Sequence, residues 1–441
     1  MAETEARNSI SRGVSVVLSA WRDPAARILN IDLLAVLLAI LLPWSTTGVV
    51  IVSVLWIVAL GFAFELRAFL QSLARPISAL PVTLFALAAV ATLWSDAAWS
   101  ARLAAIGPTM KLLVLPLMLY HFSRSRRGEW VFVAFLCSCT LIMMASWLVA
   151  LFPALSLKNY LSFGPFAPAK GIVVKNYIDQ SQELALCAVA LLYPIMVLVR
   201  SNRPRLAALL AFLALGFLAN MIFVVVSRTT LVVLPFLLLA FALRYLKLRT
   251  GVIASCIAAL VAVLVWNWSP NLRNTATKFF TDYQTTMMKN RLTGVGSRLE
   301  YWRKSLGFYA EAPLIGHGTG ATRGLFEKAA VGKTGVQAEI VSNPHNQTLA
   351  VAVQWGTIGV VILYAMWIAH LSLFRQGGLA AWIGLLVVLQ NILTSIFNSH
   401  LFDFHEGWMY VLGVGVSGGI VLGARREGGE LSNETEFRSG G

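Results

Sequence analysis

Three basic residues combine type and setting in a way that suggests chemistry: His345, Arg228 and Arg298. His345 lies in "SNPHNQTLAVAVQWGTIGVV" (342–361), between two asparagines and at the opening of a long apolar run. Asn343 suits the cap of a helix and Pro344 its first position, but neither role calls for a histidine next. At a helix start beside cations an imidazole is biased towards its neutral form. Neutral imidazole is what a general base must be. The competing reading is a polar histidine at a membrane surface. Arg228, in "FVVVSRTTLVVLPF", occupies a short connection between two apolar runs. Ionisable groups at such depth are costly and often functional, although snorkelling to lipid phosphate is an alternative. Arg298, in "GVGSRLEYWRKSL", opens an amphipathic stretch and has Glu300 and Glu311 as candidate partners.

The stretch containing Arg298 and His345 is basic, with ten Lys and Arg against five Asp and Glu over 269–346. Arginine stays charged and grips phosphate oxygens bidentately, so this excess points to an anionic substrate. Gly316, Gly318 and Gly320 in "PLIGHGTGATRG" make either an anion-binding nest or a plain turn after Pro313. A rival cluster, His400, Asp403, His405 and Glu406 in "NSHLFDFHEGW", has ligand-type residues but no standard zinc spacing. A polar helix boundary anchored by Trp408 accounts for it more simply, so no metal is expected.

The elements that must position these groups are membrane helices. The chain is 58% hydrophobic and 12% charged, with a mean hydropathy of +0.73 over 441 residues. Soluble domains carry about a quarter charged residues. The expected fold is therefore an all-α polytopic membrane protein with about 12 transmembrane helices and one large extracytoplasmic loop. Apolar runs fall near 29–44, 48–64, 77–95, 104–122, 130–152, 180–199, 206–226, 229–245, 250–268, 347–373, 379–397 and 407–423. They are almost free of charge. The formal charge of +15 sits mainly in short connections such as "SRSRRGEW", "RSNRPR" and "RYLKLR", which argues against nucleic acid. With twelve spans, seven basic segments fall on one face, which the positive-inside rule makes cytoplasmic, along with both termini. The segment 1–30 lacks the pattern of a cleaved signal. Cys137, Cys139, Cys187 and Cys256 fall within spans and read as small apolar residues. The expected division is 1–268 with about nine spans, a periplasmic loop 269–346, three spans in 347–423, and a cytoplasmic tail 424–441.

The order of short motifs around that loop resembles the O-antigen ligase and O-antigen polymerase superfamily, most closely its lipopolysaccharide ligases. "SRT" stands at an external helix junction and "GSRLEYW" opens the loop. "PLIGHGTG" follows, and "PHNQTLAVAVQWGTIGVV" closes the loop into the next span. The resemblance covers roughly Leu206 to Phe374. It implies a bacterial inner-membrane glycosyltransferase with its site facing the periplasm. The donor would be O-antigen on undecaprenyl diphosphate and the acceptor lipid A–core, with membrane lipids around and no cofactor. His345 would be the base, and Arg228 and Arg298 would neutralise the diphosphate, giving inversion. Lys170, Lys175, Arg323, Lys111 and Arg102 are expected, on their charge, as further phosphate contacts. Asn346 is expected to orient His345. Related polymerases and protein O-oligosaccharyltransferases are the near alternatives. A transporter of lipid-linked or anionic solutes is the distant one, and it would place charge along the spans.

Overall fold

In hydrocarbon every backbone polar group must be met internally, and a helix does this locally. The computed structural model describes residues 23–155, 171–289 and 293–439; among these the chain is helical, with no strand. Helices α1 (Pro24–Leu41) and α2 (Thr46–Gly61) pack on each other as a hairpin. Asp23 caps the first and Ser45 the second, so "STT" is a helix start between two spans. Helix α3 (Leu66–Leu73) bends away from α2 by 120° and exposes Leu66 and Leu70, as a helix lying along a membrane surface would. Helix α4 (Pro76–Val90) follows. Then α5 (Trp99–Ile106), a tight turn at 107–113 and α6 (Val114–Phe122) make one span.

The chain continues through α7 (Gly128–Leu151), α8 (Tyr177–Ala190), α9 (Leu192–Arg200), α10 (Pro204–Phe223), α11 (Arg228–Tyr245) and α12 (Leu248–Trp268). The stretch 269–346 carries α13 (Pro270–Lys289), α14 (Gly296–Glu311) and α15 (Thr322–Ala330). Helices α16 (Gln347–Leu373), α17 (Leu379–Thr394) and α18 (Phe404–Ser439) complete the fold. All twelve apolar stretches fall on helix. By length and apolarity, however, eight helices among the described residues suit a membrane crossing, or nine if the bent α2–α3 pair is one span. Two of the expected spans, α4 and α17, have 15 and 16 residues. At 1.5 Å per residue such helices rise only about 22–24 Å, short of a hydrocarbon core of roughly 30 Å. The polar end of the chain is helical as well, since α18 runs on to Ser439.

The centre of the bundle is α18 packed along α6 and α17. Small residues allow that approach: a Cβ on Gly415 would lie 2.5 Å from Met118 Cβ, and one on Gly419 2.4 Å from Phe122 Cβ. The expectation of spans nearly free of charge needs correction. Asp32, Lys111 and Glu183 are buried within the helices, and each is paired. Asp32 accepts from His121 at 2.7 Å and lies 3.5 Å from Arg127, at the basic end of the bundle. Lys111 and Glu183 sit at the other end, beneath the turn between α17 and α18. Hydropathy averaging dilutes Asp32 and Lys111, which have apolar neighbours on both sides, whereas Glu183 closes the polar run "DQSQE" at the start of α8.

Candidate active site

The site is built on a break in α16. At Gly356 the backbone takes φ 63° and ψ −160°, which interrupts the helix and frees backbone groups on both sides. The "PLIGHGTG" strip fills that break. Thr357 and Ile358 donate their N–H groups to the carbonyls of Pro313 and Leu314. His317 and Gly318 donate to the freed carbonyls of Val353 and Gln354. The amide of Gly320 goes to Gln354 Oε1. These N–H groups therefore serve as a dock for α16, and the plain-turn reading of the three glycines describes them better than an anion nest. Loop and membrane helix become one unit, which fixes the chain entering at 342–346.

At that entrance the capping pattern differs from the sequence expectation. Helix α16 begins at Gln347 and its cap is Asn346, whose Oδ1 accepts from Leu349 N at 3.0 Å. Asn346 Nδ2 donates to Ile396 O, so this side chain ties two segments together and does not hold the imidazole. Asn343 Oδ1 accepts from His345 N at 2.9 Å and from Ser399 Oγ at 2.7 Å, closing a turn one residue before the helix. His345 itself is left-handed, at φ 54°. For a residue with a Cβ this costs roughly 1–2 kcal/mol, offset here by the turn that Asn343 closes.

Asn398 holds the imidazole. His345 Nδ1 and Asn398 Oδ1 are 2.7 Å apart, and Asn398 Nδ2 donates to Asp403 Oδ2 at 2.5 Å. Because the amide nitrogen faces a carboxylate, the amide oxygen must face the ring, so Nδ1 carries the proton. Nε2 is then the lone-pair nitrogen. Burial pushes the His345 pKa below its usual value and the positive charge of Arg298 adds to this, against the Asn398 bond and Asp403. Tyr301 stacks at a distance, its ring centroid 6.1 Å from the imidazole, and Trp302 Nε1 points at His345 O across 3.4 Å.

The two arginines are electrostatic neighbours. Burial lowers the Arg298 pKa and the like charge of Arg228 lowers it further. Among the described residues Arg298 has no carboxylate partner, because Glu300 takes Arg303 at 2.6 Å instead. Arg228 opens α11 and is paired with Asp282 of α13 at 2.7 Å. His345, Arg298 and Arg228 thus form a sequence of interacting groups, with one guanidinium unpaired and one balanced.

The expected phosphate contacts are placed differently. Lys175 is half-buried, its ammonium donating to Leu42 O and lying 2.6 Å from His405 Nδ1 and 3.5 Å from Glu183 Oε1. Arg323 is exposed on α15 and bonded to Glu327 at 2.9 Å. Lys111 donates to the carbonyls of Phe402 and Asp403, and Arg102 to those of Thr92 and Ala97. Lys170 lies outside the described residues. None of these contacts joins the residues in question to His345.

Asn398 and Asp282 are residues of the candidate site that the sequence did not single out, and Asp403 was singled out only as a metal-type ligand. The polar run "NSHLFDFHEGW" was a signal for Asn398 and Asp403, since so many hydrogen-bonding side chains between two spans need partners. His400, Asp403 and Glu406 bring one ligand-type atom each within 4.8 Å of one another, a spacing that would also fit a cation. An imidazolium fills the electrostatic need there. Burial works against charge on His400, but Asp403 and Glu406 outweigh it and hold its pKa up at about 9.

Residues 211–364 match the family model for O-antigen ligase. This stretch supports placing the chain in the O-antigen ligase superfamily. It spans Arg228, Asp282, Arg298, His345 and the break at Gly356, the groups of the candidate site. Asn398 and Asp403 lie beyond the end of the ligase-family match and reach the site only through folding. No curated protein matches the chain.

Proposed function

We propose that the protein is a membrane glycosyltransferase of the ligase type, moving O-antigen from undecaprenyl diphosphate to a hydroxyl of lipid A–core. The observation that carries this reading is the Asn398-fixed tautomer of His345, which leaves Nε2 free beside an unpaired arginine. The acceptor oxygen attacks the anomeric carbon as the bond from that carbon to the diphosphate oxygen breaks. The acceptor proton passes to Nε2, and undecaprenyl diphosphate leaves with the bonding pair. Attack opposite the leaving group inverts the anomeric centre. Arg298 meets the charge that develops on the diphosphate, and Arg228 completes the neutralisation while exchanging its bond to Asp282. A diphosphate leaves readily, so no general acid is needed.

In this reading the loop 269–346 and the turn 395–403 face the periplasm, and the basic connections face the cytoplasm of a bacterial inner membrane. Asn346 supports the site as the cap of α16 and its tie to Ile396. Arg323 meets the glycan at most as a surface charge.

The test is ligation by the purified protein, given an undecaprenyl diphosphate glycan and lipid A–core, with a chelator present. Ligation by the wild type and its loss in His345→Ala, with donor binding retained, is the expected result. Elongation of the donor glycan without transfer to lipid A–core would make the protein a polymerase instead.

A further inference from the structure

The other end of the bundle holds a second site. Beyond its break at Gly356, α16 runs on to Leu373 and carries the chain about 26 Å further from the His345 end. Where it ends, α4 begins and α18 leaves the bundle. Arg75, Arg425 and Arg426 converge there on a cleft of about 640 Å³, with Ile77, Leu373 and Leu422 forming an apolar floor. Among the described residues no carboxylate lines the cleft. Glu427, next to Arg426 in sequence, pairs with Arg126 at 3.0 Å. Arg425 is fixed by bonds to Leu373 O and Gln376 Oε1, while Arg75 and Arg426 make no ion pair among the described residues. The positive end of α4, a helix of 15 residues, faces the same space.

Three guanidinium groups and a helix N-terminus, with no carboxylate among the described residues lining the cleft, suit an anion. The floor of Ile77, Leu373 and Leu422 at the edge of a membrane bundle suits hydrocarbon. One molecule with both parts satisfies the cleft. We propose that it binds the phosphate head group of an anionic phospholipid, with an acyl chain over the apolar floor. Arginine matches phosphate through its planar fork, and basic pockets between membrane helices on the cytoplasmic side suit acidic head groups. The bound lipid joins α4, α16 and α18 where their ends would otherwise repel. This site is independent of the transfer reaction assigned to the opposite face.

The test uses the full-length protein in a neutral detergent, melted with added dioleoyl phosphatidylglycerol, dioleoyl phosphatidylcholine or inorganic phosphate. Expected is a rise in Tm of several degrees with phosphatidylglycerol alone, retained in Arg67→Gln and absent in the double variant Arg75→Gln, Arg426→Gln. An equal rise with phosphatidylcholine, or an unchanged rise in the double variant, overturns the proposal. The same rise with inorganic phosphate would mean a phosphate site without a lipid requirement, and also overturns it. Should the double variant not fold, native mass spectrometry of the wild type decides. Retention of phosphatidylglycerol several-fold above phosphatidylcholine is expected, and equal retention refutes a head-group site.

Discussion

Nδ1 of His345 and Oδ1 of Asn398 lie 2.7 Å apart, across 53 residues of sequence. The pair joins the entrance of α16 to the turn between α17 and α18, and Asp403 fixes its polarity from behind. A base held in one tautomer is worth more than a base that must find it, so Asn398 is a positioning residue for the proposed transfer. Asn398→Leu is expected to lower kcat by about 10²-fold with KM changed little, since general-base terms are worth 10²–10⁴. Asn346→Ala, by contrast, removes a helix cap and should lower stability by roughly 1 kcal/mol while sparing kcat. Steady-state kinetics and melting curves of the two variants separate these roles. Equal kcat losses would show that Asn398 acts only through stability.

The pH dependence follows from the same neighbourhood. Burial, followed by the charge of Arg298, depresses the His345 pKa below the usual 6.5. The base is then competent at neutral pH, and activity is lost only as pH falls below that value. Arg298→Gln removes one depressing charge, so the acid limb of kcat/KM should move to higher pH while KM for the donor rises. An acid limb at the same pH in both proteins would remove Arg298 from the vicinity of the base.

Arg228 and Asp282 supply a contrast between a charge that pairs and a charge that works. Their bond of 2.7 Å is partly exposed, and such pairs are worth about 0–1 kcal/mol. Asp282→Asn is therefore expected to leave the Tm within a few degrees and kcat/KM within a few-fold. Arg228→Ala should lower kcat/KM by about 10²-fold or more, the scale of losing one preorganised charge at a transition state. Similar losses in the two variants would reduce Arg228 to a structural partner of α13.

The sequence made the helical membrane fold legible, because hydropathy reports length and apolarity directly. It singled out His345 and Arg228 as ionisable groups at the edges of spans, and Arg298 only through the basic loop that contains it. Their supports were not legible. Asn398 and Asp403 act across more than fifty residues, and a polar turn before Trp408 already had a sufficient local explanation. Lys175 looked like a free loop cation, whereas folding turns its ammonium towards Leu42 O, His405 and Glu183. The capping role moved from Asn343 to Asn346 because His345 turns left-handed, a choice made by the Asn343–Ser399 contact. "PLIGHGTG" and "QWGTIG" were visible as motifs, but not as the two halves of one break.

That break gives a stability prediction. A Cβ on Gly356 would meet Leu314 C at 2.3 Å, and φ 63° with ψ −160° is a region kept for glycine. Gly356→Ala should cost about 2–5 kcal/mol from strain and overpacking together. A melting curve in detergent reads this as a Tm loss well beyond that of Gly307→Ala, where no atom lies within 4 Å of the added methyl. Comparable small losses would mean that α16 can straighten without the strip.

His400 gives the last prediction, and its sign is fixed by the direction of the shift. Its folded pKa stands at about 9, above the ordinary 6.5, because Asp403 and Glu406 outweigh burial. The protonated ring therefore favours the fold fully below pH 6.5, and that contribution fades as pH rises from there through 9. At most roughly 3 kcal/mol is at stake over this window. The wild-type Tm should fall between pH 7 and 9.5 more steeply than that of His400→Gln, which lacks the titrating group. Since Asp403 also holds Asn398, kcat should fall over the same range in the wild type alone. Parallel Tm curves for the two proteins would show that His400 is neutral in the fold and that the carboxylates find their counter-charge in Lys111.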